Sequence, residues 1–144
     1  MKQQNYSNHR RFVLMYHGLT FFLILLLLVS SIYYTISAMS CNQSLKPGLF
    51  LSVISLVLMN LFFFARVFAL KAQDRAIRAE ENFRHYLLTG KPLDSKLSIR
   101  QIVGLRFASD EEFPALAQKA VEENISENDI KKAVKNWRGD YYRV

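Results

Sequence analysis

Hydrophobic residues fall along this chain in three rhythms. From Leu19 to Ile36 the run LTFFLILLLLVSSIYYTI carries no charge, and from Leu49 to Leu70 the run LFLSVISLVLMNLFFFARVFAL carries only Arg66. Each is long enough for a helix to cross about 30 Å of hydrocarbon. Between them SAMSCNQSLKPG is polar and contains Pro47 and Gly48, both turn formers. The pattern predicts an antiparallel pair of transmembrane helices. A cleaved leader is the rival reading of the first run, but its apolar stretch is too long and SAMSC is a poor cleavage site.

The second rhythm begins inside the second apolar run. Between Pro47 and Gly90 the chain has no proline and no glycine except Gly48, and KAQDRAIRAEENFRHYLLTG is rich in helix formers. Gly90 followed by Pro92 marks the stop. One helix from about residue 48 to 89 is expected, roughly 60 Å long. Phe62, Ala65, Ala69, Ala72, Ala76, Ala79, Phe83 and Tyr86 repeat at intervals of three and four. That spacing is a heptad seam, here built mostly of alanine, as in a coiled coil whose helices approach closely. Asp74, Arg75, Arg78, Glu81 and Arg84 lie off the seam, with Asp74 and Arg78 at pairing distance along a helix. The seam predicts packing against a partner helix or a second copy. The competing explanation is alanine used for helix propensity, with the stalk covered by the protein's own tail.

The third rhythm follows Pro92. Ser98-Ile-Arg-Gln101, Ser109-Asp-Glu-Glu112 and Ser126-Glu-Asn-Asp129 each set a hydroxyl three residues before an acid or amide, the mark of a helix N-terminus. Apolar sets follow each: Ile99, Ile102, Val103 and Phe107; Phe113, Leu116, Ala117, Ala120 and Val121; Ile130, Ala133, Val134 and Trp137. Three short helices in a small bundle are expected. Some 50 residues make a marginal core, so the bundle should lean on the stalk, another subunit or the membrane surface.

The predicted fold class is therefore all-α: a two-span helical hairpin, a second span continuing as a stalk, and a small helical bundle. The segments are 1–11, a cytoplasmic N-terminal piece; 12–38, the first span; 39–48, an extracytoplasmic loop; 49–70, the second span; 71–90, the stalk; and 91–144, a three-helix region.

Charge changes this picture in one respect. The net charge of +7 suggests a nucleic-acid binder until it is divided by segment. Residues 1–11 hold +3, Lys46 and Arg66 add two, residues 71–91 add two, and residues 92–144 are neutral with nine charges of each sign. The excess flanks the apolar runs. With Lys2, Arg10 and Arg11 before them and Lys71, Arg75 and Arg78 after, both termini are expected in the cytoplasm and the loop outside. Arg66 and Lys71 are expected to anchor the membrane interface, the long arginine side chain reaching to the headgroups. Asn60 is the deep intramembrane polar residue, with an interhelical hydrogen bond to the first span as its expected role.

Candidate chemistry is sparse. Cys41 is the one cysteine, and His9, His17 and His85 are scattered, so neither a disulfide nor a metal site is expected. The acids at 110–112 suit the first turn of a helix better than a catalytic cluster. Lys131, Lys132 and Lys135 are expected on the polar side of the last helix, a solvated face or a strip for anionic lipid or an acidic partner. No phosphate-binding loop, nucleophile elbow or metal spacing is present. The expectation is no catalytic residue, no cofactor and no nucleic-acid partner.

The stretches QNYSNHRRF, FFFARVFALKAQDRAIRAEENFRHYLLTGKPLD, LSIRQIVGLRFASDEEFPALAQKAVEEN and DIKKAVKNWRGDYYRV together resemble a family of small bacterial integral membrane proteins, a domain of unknown function. The resemblance covers nearly the whole chain and is strongest from Phe62 to Val144. It implies a multi-pass protein of the bacterial plasma membrane and brings no activity, ligand or functional residue. The expected function is a membrane-anchored interaction or scaffold protein, not an enzyme. Its partners would be membrane lipids and either itself or another membrane protein, met through stalk and tail. The runner-up is an oligomeric transport or channel component using Asn60 and Arg66, followed by a membrane-tethered regulator.

Overall fold

The computed structural model describes residues 4–8 and 12–141. Lys2, Arg10 and Arg11, which support the expected orientation, lie outside the described residues, as do His9 and Arg143. The fold is all-α. Helix α1 runs from Leu14 to Ser40 and opens with π-helical turns over Leu14–Thr20. Then come α2 (Lys46–Thr89), α3 (Ile99–Leu105), α4 (Phe113–Glu122) and α5 (Glu127–Ala133). Among the described residues the only extended pairing is an isolated bridge between Ala108 and Trp137.

The described residues form two compact units, one of residues 12–69 and one of residues 70–141 with 4–8. In the first, α1 meets the early part of α2 through small and hydroxyl side chains. Ser31, Ala38, Gly48 and Ser55 are buried. The Ser52 hydroxyl donates to Ser31 Oγ at 3.1 Å. A Cβ on Gly48 would sit 2.2 Å from Thr35 Oγ1 and 3.1 Å from its Cα, so only glycine permits this crossing. Such close approach through small residues suits helices with little hydrophobic drive toward each other. At the other end Tyr16 stacks on Phe62 with centroids 4.4 Å apart and donates its hydroxyl to the Phe62 carbonyl. The large apolar side chains turn outward. In the most apolar stretches of the two helices only 6% and 11% of residues are buried. Both helices are long and apolar enough to cross a membrane.

The turn between α1 and α2 occupies residues 41–45, shorter than expected, because α2 already starts at Lys46. Pro47 falls in its first turn, where a missing N–H costs no helical hydrogen bond. At the far end Gly90 has φ +73° and donates its N–H to the Tyr86 carbonyl at 2.8 Å. The left-handed cap explains why the stop falls at glycine.

The second unit has an apolar core of Ile77 from α2, Leu97, Ile102, Leu105, Ala108, Phe113, Leu116, Ala117, Ala120, Ile130 and Val134. Ser98 caps α3 with the full reciprocal box to Gln101, and Ser126 accepts from the Asp129 N–H to cap α5. The middle expectation fails. Ser109 does not cap α4, which begins at Phe113 with Glu112 as its cap residue and Pro114 in its first turn. A helix begun at Asp110 would drive the Pro114 ring into the Asp110 carbonyl and forfeit that hydrogen bond. The last apolar set is also not one helical stripe. Helix α5 ends at Ala133, and Val134 is extended. Trp137 packs on Phe107 at 4.8 Å from the short bridge beside Ala108. Phe107 likewise follows the end of α3 at Leu105.

Candidate functional site

The side chains with the richest polar environment lie where the outer half of α2 meets the tail, within the second unit. Ile77, Glu81 and Arg84 recur at intervals of four and three and are buried. They form one face of α2. Arg84 is its centre. Its guanidinium donates to Glu81 Oε2 at 2.9 Å, to Asp110 Oδ1 at 2.7 Å and to the Ala108 carbonyl at 2.7 Å. It also lies 4.5 Å from the centroid of Phe113. Here a planar cation has acceptors in its plane and an aromatic face against it. Glu81 pays for its place in this cluster: burial raises its carboxyl above the ordinary range, with Arg84 and Arg138 pulling the other way.

A second cation lies nearby. The Arg106 side chain is 8% exposed and pairs with Asp140 at 3.1 Å. Its guanidinium stacks 4.7 Å from the Phe107 centroid. Burial lowers its pKa from the ordinary arginine value, and Asp140 opposes that. Gln101 does a further job that its place in the Ser98 box does not announce. Its amide nitrogen donates to the Ala120 and Ile125 carbonyls at 3.3 and 3.0 Å, tying the start of α3 to the end of α4.

The acids and lysines singled out in the tail separate. Asp110 turns to Arg84, whereas Glu112 accepts from the Lys135 and Asn136 backbone N–H groups at 3.1 Å. Lys131 is buried against Glu127 at 2.6 Å, Lys132 reaches Asp129 at 3.7 Å, and Lys135 lies beyond the end of α5. The expected lysine strip along one helix is therefore broken. Its first member is neutralised inside the fold. Asp74 and Arg78 do not form the expected ion pair; among the described residues, the pairs on α2 run through Glu81 and Arg84. His85 turns to the Lys91 carbonyl, 2.8 Å from Nδ1, at the end of its helix.

The seam positions lie elsewhere on α2. Ala65, Ala72, Ala76, Ala79 and Phe83 are exposed, and Ala69 is half-buried. Within the second unit, a rotation of 100° per residue puts the Ala72–Tyr86 part roughly opposite the Ile77–Arg84 face. The tail covers that latter face, and the seam stays open. Asn60 is exposed, and its amide donates to the Leu56 carbonyl of its own helix at 2.9 Å. The amide does not donate to the first span as expected, because the Leu56 carbonyl, four residues back on its own helix, lies within reach of the Asn60 N–H. Arg66 is half-buried and Lys71 exposed. Among the described residues no three His, Cys, Asp or Glu side chains gather where they would hold a metal ion.

The buried charges on α2 were missed as a set. The signal was present: Ile77, Glu81 and Arg84 have the same heptad spacing as the seam, but two of the three are charged and read as solvated.

A family described as being of unknown function, DUF6526, matches residues 1–144. No curated protein and no solved structure matches the chain.

Proposed function

We propose that this chain, which belongs to the DUF6526 family of unknown function, is a membrane-anchored interaction protein without enzymatic activity of its own. Its α1 and the apolar part of α2 would cross a bacterial plasma membrane as a hairpin. Lipid would cover the large apolar side chains that these helices turn outward. Arg66 and Lys71 would sit at the cytoplasmic interface. Both termini would be cytoplasmic, with Cys41 outside.

One observation carries the reading. Past the apolar run, α2 gives one face to the tail and leaves the other bare, with Phe83 62%, Tyr86 53% and Leu87 67% exposed. Aromatic and aliphatic side chains this open, on a helix already supported from behind, suit a surface kept for a partner. The buried cluster around Arg84 would hold that surface at a fixed orientation.

The test is extraction of the full chain from native membranes in mild detergent and measurement of its complex size. The expected result is a complex larger than the monomer, reduced by the double variant Ala76→Asp with Phe83→Asp while that variant stays in the membrane fraction. A wild-type chain that migrates as a bare monomer would overturn the proposal.

A further inference from the structure

We propose that the open face of α2 is occupied by the same face of a second copy, in a parallel and in-register pair; this rests on the interaction reading above. The register follows from the seam. With Ala76 and Phe83 at the first core position of each heptad, Ala72, Ala79 and Tyr86 take the second. The flanking positions then include Arg75 on one side and Glu80 on the other. In a parallel, in-register pair a flanking residue meets the partner's residue five positions later. Arg75 of one copy therefore faces Glu80 of the other, and the two-fold symmetry makes this contact twice.

Both side chains are free for it. Arg75 and Glu80 are exposed, and neither forms an ion pair with a described residue. An antiparallel pair would lose this match, because residues of the same flank would then face each other. Direction has independent support. Helix α2 is continuous from Lys46 to Thr89, so two copies anchored in one bilayer with the same topology run α2 the same way. The alanines let the helices come close, and Phe83 and Tyr86 supply the apolar area at the open end.

The test uses the full chain in membranes. In a Cys41→Ser background, Ala79→Cys places a thiol on the seam and Arg78→Cys places one off it. Under mild oxidation the proposal expects a disulfide dimer from Ala79→Cys and little from Arg78→Cys. Arg75→Glu or Glu80→Arg alone should raise the dissociation constant roughly tenfold, since two attractive contacts become repulsive. The double exchange should restore association. Cross-linking without rescue by the double exchange would overturn the register. No cross-link from Ala79→Cys, with a larger complex still recovered from membranes, would overturn the second copy as occupant and leave the interaction reading standing. A bare monomer in both experiments would remove both.

Discussion

Residues 12–69 join their helices through Gly48, Ser31, Ser52 and Ala38, whereas the second unit closes around Phe107, Phe113, Leu105 and a buried Arg84. The first turns its large side chains out and its small ones in. The second does the reverse and takes charges inside with it. The difference is that expected of two solvents. In lipid, an outward leucine costs nothing and helices gain by close backbone approach. In water, apolar area must be buried and a buried charge must be paired. A single helix, α2, carries both patterns in succession.

The comparison breaks most sharply at Arg84. Arg84→Ala leaves Glu81 buried without its main partner, and the second unit should lose about 3–5 kcal/mol in denaturant unfolding of the purified protein. The Tyr16–Phe62 contacts of the apolar pair should be untouched. Overpacking a glycine comes next, and it probes both units in one way. Gly104→Leu meets the Glu127 carbonyl, 3.1 Å from an ideal Cβ, and should cost about 1–3 kcal/mol in the same assay. Gly48→Leu meets Thr35 and should separate α1 from α2, read as lost cross-linking between cysteines placed at Ser31 and Ser52.

A smaller effect sharpens the electrostatic side. Glu81 has a folded-state pKa above its ordinary 4.5 because it is buried. The folded form then holds its proton more tightly than the unfolded chain. The resulting stability is full below 4.5 and is lost as pH rises through the folded value. Glu81→Gln should flatten this part of the pH dependence when melting temperatures are compared with wild type from pH 4.5 upward. Smallest of all is Ser52→Ala. It removes one interhelical hydroxyl contact and should cost about 0.6 kcal/mol, measured by thermal unfolding in detergent.

Much of the fold was legible because the strongest signals were periodic. Two apolar runs, one uncharged and one carrying only Arg66, gave the apolar helices, and Gly90 with Pro92 gave the end of α2 within a residue. Ser98 and Ser126 gave two caps of the tail. Ser109 misled because a serine followed by acids satisfies the cap pattern whether or not a proline five residues on permits the helix. Trp137 misled because helical spacing persists in sequence after the chain has turned extended. Glu81, Arg84 and Arg106 were hidden for a different reason. Charge predicts exposure until an acceptor set from a distant loop is known, and the Ala108 carbonyl and Asp110 are some 25 residues from Arg84. The alanine seam was visible, but its openness depends on which face the tail takes.

The central proposal is that the two units stand in different solvents, one inside a bilayer and one in the cytoplasm. Impermeant maleimide labelling of intact cells tests it with two single-thiol chains: the native one, with exposed Cys41, and Cys41→Ser carrying Ser95→Cys in an exposed turn of the tail. The account predicts that Cys41 labels in intact cells and that the thiol at position 95 labels only after the membrane is opened. Equal labelling of the two sites, or recovery of the chain in the soluble fraction, would contradict it.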